Sequence, residues 1–187
     1  MTASKRERGR TVGELPDGTP LRRATTDEIV FQIKTLLDEA WPPLIYRERI
    51  LPLRTRSHAV PPVTRGASVE VQHTLLGVEL KVGRRRVSCP DFATARYLAV
   101  FARIGCSNVA VPYDITKISS LADELESAWH RMILLSEHAS EGRGKSFASR
   151  VRTALVREVR EEIEGAGAGT AVPQFNQNTS QRHRRVS

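Results

Sequence analysis

The sequence predicts an α/β fold: a small mixed sheet flanked by helices, with a helix-strand-strand-strand-helix-strand core followed by two amphipathic helices. Three observations carry this. "SVEVQ" and "GVELKV" alternate apolar and polar residues with period two, as half-buried strands do. Apolar residues at three- and four-residue steps mark helices on either side of them, and the nearly continuous apolar run after Asp91 needs a helix covered on more than one side. A chain of 187 residues holds one such domain and its tails, but is short for two.

Taken in order, residues 1–24 are polar, basic and rich in Gly and Pro, and read as a mobile arm. The core spans 25–139. Thr25 and Glu28 have capping-box spacing ahead of an apolar face of Ile29, Ile33, Leu36, Leu37 and Ala40, and Pro42 and Pro43 are expected to stop that helix. An edge strand near 45–51 and a basic loop follow, because Pro52, Pro61 and Pro62 exclude a central strand. The two alternating strands come next, then a turn at Gly83 and a short strand, "RVSC". Asp91 caps a helix that Gly105 ends, "NVAVP" is a short buried strand, and 118–139 is a long helix with Leu121, Leu125, Trp129 and Met132 on one stripe. After a Gly-rich break, the helix 145–164 carries Phe147, Val151, Leu155, Val159 and Ile163 at four-residue steps, a stripe that needs a partner: the preceding helix, or a second copy in a homodimer. Residues 165–187 have the composition of a disordered basic tail.

The net charge of +8 comes from 24 arginines and 5 lysines against 21 acids, and arginine suits bidentate contact with phosphate. Between Leu44 and Val87 nine cations stand against three acids. A polyanion is the expected partner, nucleic acid first and DNA before RNA. Only 10 aromatic residues argue against recognition by stacking on many bases. No apolar run reaches 18 residues and no signal peptide opens the chain, so a cytoplasmic protein without a membrane partner is expected. Cys89 and Cys106 have no metal spacing and read as free thiols.

The candidate chemistry lies in "GVELKVGRRRVSCPDF". Strand parity puts Glu79 and Lys81 on one face, opposite Val78, Leu80 and Val82, and puts Glu70 and Gln72 opposite Val69 and Val71. A hairpin centred on Thr74 and Leu75 would set Glu70 directly across from Glu79, with Lys81 one step away. Facing carboxylates repel unless a cation lies between them, and Mg²⁺, or Mn²⁺, is such a cation. The expectation is that Glu70 and Glu79 hold the metal, that Lys81 acts with them in catalysis, and that Arg84, Arg85, Arg86 and Arg96 contact phosphate. Against this stands the ordinary alternative of a solvated sheet face on which Glu70 pairs with Lys81.

Glu79-Leu80-Lys81, the basic turn, the strand end at Val87, the helix closing in Phe101-Ala102 with Gly105, and the strand with Ala110-Val111 follow one another with gaps that resemble the archaeal Holliday-junction resolvases and, more broadly, the PD-(D/E)xK nuclease superfamily. The resemblance covers about residues 25–112 and is specific at 79–111. It implies a helix-flanked mixed sheet, an acid and a Glu-x-Lys holding Mg²⁺, and hydrolysis of nucleic-acid phosphodiesters. The family's upstream acid is usually Asp; no aspartate occurs between Asp38 and Asp91, so Glu70 takes that place. Three functions are consistent with the sequence: a metal-dependent nuclease, a nucleic-acid-binding protein without activity, and an assembly or adaptor protein joined through its C-terminal helices.

Overall fold

The computed structural model describes residues 24–61, 63 and 67–169, so the expected arm apart from Ala24, and most of the expected tail, lie outside the described residues. Helix α1 (Thr26–Leu37) starts on the anticipated capping box: the Thr25 hydroxyl accepts from the Glu28 N–H, and the Glu28 carboxylate accepts from the Thr25 N–H at 2.7 Å. Ile29, Ile33 and Leu37 form its buried face. A 3₁₀ turn (Asp38–Ala40) then leads into α2 (Pro42–Ile45) and a π-helical turn (Tyr46–Ile50).

This corrects the edge strand expected near 45–51, which is helical. Pro42 and Pro43 begin a helix instead of merely ending one, because the first turn has no use for their missing N–H groups. The first strand, β1 (Thr55–Ala59), therefore comes later. Strands β2 (Val69–Thr74), β3 (Gly77–Val82) and β4 (Arg85–Cys89) form an antiparallel meander. Helix α3 (Phe92–Ile104) follows, capped by Asp91, whose carboxylate accepts from the Thr94 N–H at 2.7 Å, and ended by Gly105 in the left-handed region at φ 87°. Strand β5 (Asn108–Pro112) and the helices α4 (Ile115–His138) and α5 (Lys145–Ala166) complete the chain.

The fold is α/β with helices around small sheets, but the single mixed sheet is replaced by two antiparallel ones: β2-β3-β4, and β1 paired with β5. Two tyrosines account for the division. The edge of β5 away from β1 is closed at Ala110, whose N–H donates to the Tyr46 hydroxyl at 2.8 Å and whose carbonyl accepts from the Tyr97 hydroxyl at 2.6 Å. With these groups satisfied, a further strand at that position has little to bond to. Tyr46 in turn donates to the Gly167 carbonyl at 2.7 Å, tying down the end of α5.

Leu80 and Val82 of β3 are buried on the side covered by α3, and Tyr97, Leu98 and Phe101 sit at the centre of one continuous core. The α5 stripe of Val151, Leu155, Val159 and Ile163 is fully buried within the chain. A homodimer through the C-terminal helices would therefore have to use other residues. No helix among the described residues is long and apolar enough to cross a membrane.

Candidate nucleic-acid interface

The meander places Glu70, Glu79 and Lys81 on its open face, as strand parity requires, but in a different register from the one expected. The turn is Leu75-Leu76, with Thr74 opposite Gly77, so Glu70 stands across from Lys81 and Glu79 across from Gln72. The facing pair of carboxylates is thereby overturned. Its physical cause is the turn: Thr74 closes it by donating its hydroxyl to the Gly77 carbonyl and accepting from the Leu76 N–H, and Gly77 supplies a φ of 127° that other residues rarely adopt.

Two rows of side chains result. Glu70, Lys81 and Arg86 form one, and Gln72, Glu79 and Ser88 form the next. Lys81 Nζ lies 3.5 Å from Glu70 Oε2, and Arg86 Nη1 lies 3.4 Å from Glu79 Oε2. The Glu70 carboxyl is held below the ordinary carboxylate range, first by the Ser68 hydroxyl and then by the Lys81 ammonium, and it also accepts from the Gln72 amide at 2.9 Å. Each acid has a cation beside it. Among the described residues no three His, Cys, Asp or Glu side chains converge as metal donors. As folded, the two carboxylates sit in different rows with their oxygens turned to Lys81 and Arg86, so the face holds two ion pairs.

The expected phosphate contacts divide. Arg84 and Arg85, at the β3–β4 turn, are exposed and have no acid at ion-pair distance among the described residues; Arg86 is shared with Glu79. Arg96 is engaged by Asp123 and Glu126 of α4, which together raise its affinity for its proton. It joins α3 to α4 and is not a free phosphate contact.

Among the described residues the strongest concentration of unpaired positive charge lies elsewhere. A groove of about 590 Å³ runs between α5 and the junction of β2 with α3, with Arg103, Arg152, Arg157 and Arg160, the hydroxyls of Ser149 and Thr153, and aliphatic walls of Val63, Ala67, Val69 and Val156; Trp129 forms part of its floor. Among the described residues no carboxylate lines it. Arg103, Arg152 and Arg160 have no ion-pair partner among the described residues, and Arg157 has only Glu161, at 3.9 Å on the exposed side of its own helix.

This arrangement follows from how α5 sorts its charges. Residues 149, 152, 153, 156, 157 and 160 succeed one another at three- and four-residue steps, which makes one flank of a helix. The acids Glu158 and Glu162 fall on the other flank, where Lys34 of α1 lies 3.8 Å from Glu158 and bonds Glu162, and the Trp41 indole donates to Glu162 at 3.2 Å. Glu164, one turn beyond Arg160 on the arginine flank, accepts from the Ser107 N–H at 3.1 Å and is not among the residues lining the groove. Sequence reasoning read α5 for its apolar stripe and missed this flank. Its arginine spacing is visible in the sequence; the opposite wall, Arg103 and Val69, comes from elements distant in the chain.

A second groove, of about 540 Å³, lies between the π turn and α4 and mixes Glu39, Glu48 and Glu124 with Arg49 and Arg131. Arg49 and Glu124 are ion-paired there. The chain matches no protein-family model, no curated protein and no solved structure.

Proposed function

We propose that the protein binds nucleic acid through its phosphates, without dependence on sequence. One observation supports this above the others: the α5 groove gathers four arginines and two hydroxyls, with no carboxylate among the described residues that line it. Guanidinium groups bind phosphate oxygens in pairs, and Arg103, Arg152 and Arg160, which have no ion-pair partner among the described residues, give up none when they do so. The unpaired Arg84 and Arg85 extend the same character to the meander turn. Binding that depends on phosphate contacts falls steeply with salt, because each contact releases condensed counterions.

The test is fluorescence anisotropy of a labelled oligonucleotide titrated with the protein at several salt concentrations. The expected log–log salt slope is steep, and changing Arg152 and Arg157 together to Gln should weaken binding by roughly 10-fold and flatten the slope by about 2. A salt-independent affinity, or one indifferent to those changes, would refute the reading.

A second reading, metal-dependent phosphodiester hydrolysis by the PD-(D/E)xK-like set, is favoured by one specific observation: Glu70, Glu79 and Lys81 share one open face within two adjacent rows. It requires Mg²⁺- or Mn²⁺-dependent cleavage that is lost in both Glu79→Ala and Lys81→Ala. Intact substrate after incubation with either metal would eliminate it while leaving phosphate binding in place.

A further inference from the structure

Resting on the phosphate-binding reading, the geometry points to a single track for double-helical nucleic acid, running from the α5 groove to the Arg84-Arg85 turn. Both lie at the same end of the meander. Val69, which lines the groove, is in register with Val82, and Val82 with Arg85. Strand alternation puts all three on the side of the sheet that α3 covers, and α3 also supplies Arg103 to the groove. Two strand spacings, about 10 Å, separate the groove wall from the strand that carries Arg85.

Neither this row nor the next on the same side carries an acid, and Val82 and Leu80 within them belong to the core. The row itself is Val69, Val82 and Arg85, and the next one on the same side is Val71, Leu80 and Val87; Glu70 and Glu79 project from the opposite face. The cations are also graded in depth. Arg103 and Arg160 are half-buried within the groove, and Arg152, Arg157, Arg84 and Arg85 are exposed along its rim and beyond.

The walls select the form of the ligand. They offer guanidinium groups, hydroxyls and aliphatic side chains, and the one aromatic residue among the described residues lining the groove, Trp129, is only 6% exposed. Single strands are held largely by bases stacked on accessible rings, whereas a duplex hides its bases and presents two lines of phosphates. A surface that offers guanidinium groups at two places at one end of the meander, with no accessible ring among the described residues that line the groove, suits the duplex.

The experiment compares a mixed-sequence DNA duplex of about 20 base pairs with a single strand of the same length, using the full chain and anisotropy at several salt concentrations. The duplex is expected to bind at least about 10-fold more tightly, and the pair Arg84→Glu with Arg85→Glu and the pair Arg152→Glu with Arg157→Glu should each weaken it by about 10-fold or more and flatten the salt slope. All four positions are exposed, and circular dichroism melting verifies that each variant is folded. Arg131→Glu, an exposed change on α4 in the other groove, should leave duplex binding unaltered. Equal or tighter binding of the single strand overturns the duplex assignment, and a turn reversal without effect overturns the track; both leave phosphate binding at the groove standing. Failure to bind either form overturns the track and the proposed function together.

Discussion

The open face of the meander and the α5 groove use the same residue types to opposite effect. On the meander, acids and cations alternate across adjacent strands, so Glu70 meets Lys81 and Glu79 meets Arg86, and the four charges cancel. In the groove, α5 sends its arginines to one flank and turns Glu158 and Glu162 toward Lys34 on the other. The meander carries the more suggestive sequence motif; the groove carries the uncompensated charge. For a polyanion the second matters more, since a cation already paired must give up its carboxylate before it can take a phosphate.

This contrast can be abolished by making the groove resemble the meander. Thr153 is exposed, and its hydroxyl bonds only the Ser149 carbonyl one turn back, so Thr153→Glu should fold normally while placing a carboxylate among the arginines. Nucleic-acid affinity is expected to fall roughly 10-fold or more, in a filter-binding or anisotropy titration at fixed salt. An unchanged affinity would mean that the groove is not where phosphate binds.

The reverse change is smaller. Glu70→Gln together with Glu79→Gln frees Lys81 and Arg86, and a modest gain in affinity of about 3-fold is expected, strongest at low salt. The same double variant would abolish any metal-dependent cleavage, so one preparation addresses both readings of this face.

Smallest is the effect on stability. The Lys81–Glu70 pair is exposed and loosely spaced, and Lys81→Ala should barely shift a urea melt, whereas Leu80→Ala, one residue away on the covered side, should cost about 2 to 5 kcal/mol. Removing Lys81 also removes one of the influences that depress the Glu70 pKa, so the carboxyl should titrate at higher pH, as read by NMR. Because that pKa is lowered on folding, the associated stability is present above the unfolded value and is lost as pH falls through the folded one. Lys81→Ala should therefore flatten the stability profile on the acid side of neutrality.

Local signals were legible in the sequence where the physics is local. The Thr25–Glu28 box, the Asp91 cap, Gly105 as a stop and the alternation in β2 and β3 all appear as expected, since each depends on residues within a turn or a pleat of one another. The error at Pro42-Pro43 is of the same local kind: a proline pair is compatible with a helix start as well as a stop, and Trp41 packing into the core favours the start.

What the chain's order alone determined about this protein is thus its helices, its strand faces and its excess of arginine. Tertiary structure decided the rest. The hairpin register depends on which residues the turn claims, and moving the turn by one residue exchanged a carboxylate pair for an ion pair. Whether one sheet or two forms depends on hydroxyls brought to Ala110 from Tyr46 and Tyr97, and the groove exists only because Arg103 and Val69 arrive opposite a helix that begins more than 40 residues later in the chain. Such contacts are set by how the apolar faces pack, and no local pattern encodes which distant residue will stand across from which.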